Sequence, residues 1–220
     1  MINIRKRKFN TIKSIHDDDS ENDIGSPLEL LTGHRSHVSV DMEDNHIYFR
    51  EDVNKQSIIK LIKLISEANC HVEDLIASCK VATIIPKPIY LHITSHGGEV
   101  HYGLMAYDVI KRSKIPIYTI CEGFSYSAGT IIGLAGVKRY ATPNTYLLVH
   151  QLSNGACGNF EQLKDQHAND NIIMERLKKL YLENTKMKSK ELDSLLKRDL
   201  LLDTKTCIKY GLIDNEFYGE

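Results

Sequence analysis

The spacing of apolar and polar residues changes period repeatedly after about residue 38, and each change predicts an element. His46-Ile47-Tyr48-Phe49 reads as a strand, and Lys55 to Ala68 as an amphipathic helix with Ile58, Ile59, Ile62 and Ile65 facing inward. Pro88 to Thr94 predicts a second strand, Val100 to Lys111 a second helix and Ile115 to Cys121 a third strand. Ser127 to Leu134 reads as a short buried helix, and Thr145 to His150 as another strand. A long helix is expected over Gly158 to Leu182, followed by two shorter ones near Lys190–Leu196 and Thr204–Lys209. Strands that alternate with helices imply an α/β fold with parallel pairing and right-handed crossovers.

The first 25 residues do not share this pattern. Arg5-Lys6-Arg7-Lys8 precedes the acidic stretch His16 to Asp23, with few apolar residues to anchor either block. A polar flexible tail over 1–25 and a single domain over 26–220 are expected. Ser26-Pro27-Leu28-Glu29 reads as a helix start, with Ser26 as N-cap and Glu29 reaching back, and Gly33 ends that short helix.

Composition narrows the function classes. The chain has 220 residues, 28 Lys+Arg against 29 Asp+Glu, and a formal net charge of -1, so it lacks the basic footprint of a nucleic-acid binder. No apolar run approaches the roughly 20 residues of a membrane span, and the basic front is followed by polar residues where a signal peptide needs an apolar core. The five cysteines, Cys70, Cys79, Cys121, Cys157 and Cys207, are odd in number and irregular in spacing. They read as free thiols in a reducing compartment, and the expected location is cytoplasmic. His92, His96 and His101 lie close together without a metal-ligand spacing, so no metal site is expected.

Three segments carry candidate chemistry, each at the end of a predicted strand. Thr94-Ser95-His96-Gly97-Gly98 can bring backbone N–H groups close to an anion, although a Gly-Gly pair is more often only a tight turn. In Gly123 to Gly129, Ser127 opens a helix whose dipole and free N–H groups favour an oxyanion; a bare helix cap is the bland alternative. This is not the G-x-S-x-G elbow of the α/β-hydrolases. Leu147-Leu148-Val149-His150-Gln151 places a histidine at the end of an apolar strand, where it can serve Ser127 as general base. An acid must orient the imidazole, and Asp193, Asp199, Asp203 and Asp214 are available. Asp203 is better explained as a helix N-cap. Asp193 sits in a polar helix and Asp214 in the final turn, which leaves Asp199 favoured by elimination but not decisively.

Taken together, Tyr90 to Gly98, Ser127-Ala128-Gly129, Val149-His150-Gln151, Arg198-Asp199 and Tyr210 to Asp214 resemble the Clp protease proteolytic subunit (ClpP) family. The blocks occur in the family's order and near its spacings, over roughly residues 38 to 215. The resemblance implies a ClpP/crotonase-type fold of stacked ββα units with a protruding helical handle at about 158–185. It implies a serine endopeptidase with Ser127 as nucleophile, His150 as general base and Asp199 as third triad member. The backbone N–H groups of Gly98 and Ala128 match the oxyanion hole, and Gly155 to Gly158 the strand and turn that guide substrate. It also implies a homo-oligomeric ring, heptameric or double, that cleaves protein or peptide substrates. A partner AAA+ unfoldase would use the ATP, and the chain itself needs no cofactor.

Departures from the family pattern are specific. His96 and Leu152 stand where prolines are usual, and the handle segment is slightly short. Lys197 replaces an acid, so the usual inter-ring ion pair cannot form in its usual way. At the unfoldase-docking surface Tyr90 is kept, while His92 and Arg112 stand where aromatic rings are typical. Two rival readings share the fold: a non-catalytic ClpP-like subunit or scaffold, and a crotonase-type acyl-CoA enzyme. A complete serine, histidine and aspartate set argues against the first, and the lack of an obvious basic patch for the CoA phosphates against the second.

Overall fold

The computed structural model describes residues 40–78 and 87–219, with backbone only at 74–78. The polar tail, the helix expected after Ser26, and Cys79 lie outside the described residues. In chain order the elements are β1 (Val40–Glu43), β2 (His46–Phe49), α1 (Lys55–Ser78), β3 (Ile89–Ser95), α2 (Val100–Arg112), β4 (Ile117–Tyr126) and α3 (Ala128–Leu134). Then follow β5 (Lys138–Ala141), β6 (Tyr146–Leu148), α4 (Phe160–Asn184), α5 (Ser189–Leu196), β7 (Leu201–Asp203), α6 (Thr204–Tyr210) and β8 (Asn215–Glu216).

The sheet runs β1-β2-β3-β4-β5-β8, with β6 paired to β4 and β7 to β6. The central pairs are parallel, as alternating strands and helices require. Two pairs are antiparallel, β1 with β2 and β6 with β7, against the wholly parallel expectation. β1 and β2 are joined by a tight turn at Asp44, and β7 returns from α5, so neither pair needs a crossover.

The inward side chains of the sheet, among them Ile47, Phe49, Leu91, Ile93 and Ile117, are fully buried under α1, α2 and α3. On α1 the buried stripe is Ile58, Leu61 and Ile65, a spacing of three and four residues that keeps one helix face. Ile59, expected inside, is 49% exposed because it lies beside that stripe. α1 also continues ten residues past Ala68. The strands missed by pattern, β1, β5, β7 and β8, are two to four residues long, too short for alternation to register.

β4 determines where the chemistry can sit. Residues 118–121 pair with β5, and residues 124–126 pair with β6. The partner changes at Gly123, whose φ is +67°. The strand therefore runs five residues beyond its expected end and delivers Ser127 directly to α3.

The opposite sheet face carries rings: His46 stacks on Tyr90, Tyr48 on His92, and Tyr118 and Tyr140 continue the row. His46 Nδ1 lies 2.9 Å from His92 Nε2, and His92 Nδ1 lies 2.9 Å from Glu122 Oε1. On α4, no residue before Leu177 is buried, and Phe160 and Ile172 are exposed. Among the described residues no helix is long and apolar enough to cross a membrane.

The hydrogen bond from His92 holds the Glu122 carboxyl below its ordinary range; partial burial opposes this, and the charges of His92 and Arg50 add to the lowering. A depressed folded value means the stabilising contribution is present above the unfolded pKa and lost as pH falls through the folded one. Urea midpoints of the wild type should therefore fall more steeply than those of Glu122→Gln as pH drops below about 4.5. Equal slopes would remove Glu122 from the acid response.

Candidate active site

Four chain segments converge beyond the strand ends. After β3, Gly97 and Gly98 turn with φ of +93° and +142°. Val53 N–H donates to Gly97 O at 2.7 Å and Glu99 N–H to Val53 O at 2.8 Å, which pins the loop against the segment leading into α1. A side chain at Gly98 would place its Cβ 2.3 Å from Val53 O, and one at Gly97 would meet Ser127 Cβ at 2.6 Å. Both positions need glycine for space as well as for conformation. The pairing at Val53 leaves Gly98 N–H outside the ladder.

After β4, Ser127 adopts φ 52° and ψ −123° and occupies the N-cap position of α3 without a side-chain cap bond. Its N–H donates to Leu148 O at 2.8 Å, tying it to the end of β6. The bland reading of Ser127 as a helix cap is thereby set aside, since its hydroxyl does no capping. Ala128, the first residue of α3, has one of the N–H groups that a helix start leaves without an intrahelical partner. Ser125 lies within β4, buried, and points away from this role.

His150 follows β6, and the next residue, Gln151, donates its N–H to Leu196 O at 2.9 Å. That bond joins the histidine segment to the end of α5, and so to Asp199 three residues later. Gly155 to Gly158, which the resemblance implied to be a strand and turn, form no strand: residues 151–157 have no regular structure and Gly158 is a bend. With β7 pairing on the far side of β6, this segment has no partner strand among the described residues.

Ser127, Ala128, Gly98 and His150 line one cleft of about 230 Å³. Val100, Ile131, Leu152 and Leu177 supply apolar wall, and His96 and Tyr181 complete it. Asp199 does not line this cleft. Its Oδ1 lies 3.9 Å from His150 Nδ1, beyond hydrogen-bond distance, and its side chain is 82% exposed against 21% for His150. Neither is a Ser127–His150 hydrogen bond formed. Such bonds are commonly long in substrate-free sites and tighten in the working complex.

The competing acids are engaged elsewhere. Asp203 accepts from Thr206 N–H at 2.8 Å as the N-cap of α6. Asp193 pairs with Lys178 at 3.1 Å, and Asp214 forms a two-pronged contact with Arg139. The two buried cysteines are poor competing nucleophiles: burial pushes the Cys121 and Cys207 thiols up to about 12, so neither offers a thiolate near neutrality. Among the described residues no three His, Cys, Asp or Glu side chains are placed to hold a metal ion.

Pattern reasoning missed the cleft's walls. Tyr181 and Leu177 come from α4, about fifty residues after Ser127, and only a tertiary contact brings them in. His96 was visible only as a change of residue type in a turn. It stacks on Phe124 with ring centroids 4.3 Å apart.

The family model for Clp protease matches residues 42–217. A curated ATP-dependent Clp protease proteolytic subunit from Deinococcus radiodurans is 35% identical over 128 residues. That alignment spans 57% of this chain and 63% of the relative's length. Among solved structures, a mutant ClpP1 from Listeria monocytogenes superimposes with a TM-score of 0.62 at 23% identity, over 77% of this chain and 89% of that one. The sheet topology and this superposition give the fold as that of ClpP, and the match over residues 42–217 gives the family: the chain belongs to the Clp protease family.

Proposed function

We propose that this chain is a serine-type endopeptidase in which Ser127 attacks, His150 carries the proton, Asp199 orients His150, and the N–H groups of Gly98 and Ala128 receive the oxyanion. The observation that carries the reading is the common cleft: Ser127, held at a positive φ, shares it with His150, Gly98 and Ala128. In the reaction His150 Nε2 takes the Ser127 Oγ proton as Oγ bonds to a peptide carbonyl carbon. The carbonyl oxygen becomes the oxyanion, stabilised by the two N–H groups. His150 then returns the proton to the leaving amine, the C–N bond breaks, and an acyl group stays on Ser127 until water repeats the sequence. No cofactor enters these steps.

The open His150–Asp199 distance makes assembly part of this reading. Copies arranged in a ring, heptameric or double, would cover the exposed Asp199 and draw it to the imidazole. The apolar Phe160 and Ile172 on α4 are surface that such assembly would bury. Lys197, adjacent to Arg198, calls for a carboxylate on a neighbouring copy in place of the acid usual there. Protein substrates would reach enclosed sites with the help of an ATP-driven unfoldase. For its docking the ring-bearing sheet face is altered: His92 is buried and engaged with His46 and Glu122, and Arg112 is exposed beside a groove between α1 and α2.

The same open distance favours the second reading, a non-catalytic subunit. Labelling with a fluorophosphonate separates the two. The wild type should label in a species of at least ring mass, and Ser127→Ala should not; assembled wild type that never labels would favour the scaffold. Gly98→Ala should reduce cleavage of a fluorogenic peptide by about a hundredfold or more, since its Cβ displaces the loop that offers the N–H. Activity within twofold of wild type would dismiss that donor.

A further inference from the structure

Two buried hydroxyls beneath Ser127 take no part in the steps above. Tyr181, near the end of α4, is 3% exposed, and its hydroxyl lies 2.5 Å from Oγ1 of Thr130, itself 1% exposed. Thr130 Oγ1 lies 2.7 Å from Ser127 O, a carbonyl that also accepts Thr130 N–H at 3.0 Å. A carbonyl oxygen only accepts, so the single threonine proton goes to Ser127 O. The Tyr181 O–H must then donate to Thr130 Oγ1. Burial pushes the Tyr181 hydroxyl up to about 12, so this proton stays in place across the neutral range.

The accepting carbonyl belongs to the peptide unit whose other end is Ala128 N–H. In a trans planar peptide the C=O and N–H point in opposite directions, so fixing one fixes the other. Ser127 O is held from inside the protein, which leaves Ala128 N–H directed to the cleft side. Hydrogen bonds accepted by a carbonyl also polarise its peptide and strengthen the N–H as a donor. A threonine near a helix start commonly bonds a carbonyl of the preceding turn, which local structure alone explains. Donation from Tyr181, 51 residues later in the chain, is not needed by the helix.

We propose that Tyr181 and Thr130 form a hydroxyl relay that orients and polarises the Ser127–Ala128 peptide, making both of them positioning residues for oxyanion stabilisation. This rests on the peptidase reading of the cleft. The relay acts on the transition state and not on substrate binding, because the donor is fully used only when the carbonyl oxygen carries charge. Within the relay, the Tyr181 hydroxyl acts through Thr130.

The test uses the full-length assembled protein, with Tyr181→Phe, Thr130→Val, Thr130→Ser and the Tyr181→Phe/Thr130→Val pair. Tyr181→Phe and Thr130→Val should each lower kcat on a fluorogenic peptide several-fold to about tenfold with KM within twofold, less than loss of a whole oxyanion donor. Affinity for a peptide boronate, whose tetrahedral adduct occupies the same hole, should fall by the same factor. Thr130→Ser should restore the rate, and the double variant should be no slower than Thr130→Val alone. Assembly mass and melting temperature identify a variant that fails to fold; if Thr130→Val does, Tyr181→Phe against Thr130→Ser still decides. Wild-type kcat in Tyr181→Phe, a raised KM with unchanged kcat, or multiplicative effects in the double variant would overturn the relay alone. Assembled wild type that neither labels nor cleaves would overturn the peptidase reading, and the relay with it.

Discussion

Ser127 occupies a backbone conformation, φ 52° and ψ −123°, that a residue with a side chain adopts only when its surroundings insist on it. Such a conformation costs on the order of 1–3 kcal/mol. The surroundings here are three. Its N–H is bonded to Leu148 O of β6, its carbonyl to Thr130, and the space beside its Cβ is left by the missing side chain of Gly97. Remove any of them and the strand-to-helix junction could relax, turning the hydroxyl away from the cleft. The partner change of β4 from β5 to β6 exists in service of this junction, because only the second pairing brings Leu148 alongside.

The same pairing explains why the histidine arrives where it does. β6 carries Leu148 to Ser127 and, two residues on, His150 to the cleft. α5 then closes against this segment through Gln151 and Leu196, setting Asp199 within reach of the ring but in solvent. Sheet geometry thus places Ser127 and His150, while a helix end with little burial places Asp199. An exposed carboxylate held 3.9 Å from an imidazole contributes little orientation, since water competes for both. Under the proposed ring assembly, another copy of the chain would cover that edge and firm the contact.

Much of the parallel sheet and its helices could be read from periodicity, because β3, α2 and α1 have long apolar stripes. Ser127, His150 and Gly98 stood out because each lies near a strand end in a short local motif, and the fold brings the three to one cleft. The failures have a common cause. Ile59 was misplaced and Leu61 overlooked because a run of apolar residues does not say which face is covered. The short strands β7 and β8 pair only after the chain has travelled far from its partners. Tyr181 carried no local signal at all; its meaning comes from Thr130, 51 residues earlier in the chain. Asp199 was favoured by elimination alone; Asp193, Asp203 and Asp214 have partners elsewhere, while Asp199 stands exposed 3.9 Å from His150.

A structure of the assembled protein with a fluorophosphonate adduct examines the site as a whole. The phosphorus should be bonded to Ser127 Oγ, with one phosphoryl oxygen about 3 Å from both Gly98 N and Ala128 N. Asp199 should have moved to hydrogen-bond distance of His150 Nδ1. An adduct on another residue, an oxygen facing away from both N–H groups, or an Asp199 still standing open in solvent would contradict the triad proposed for this cleft.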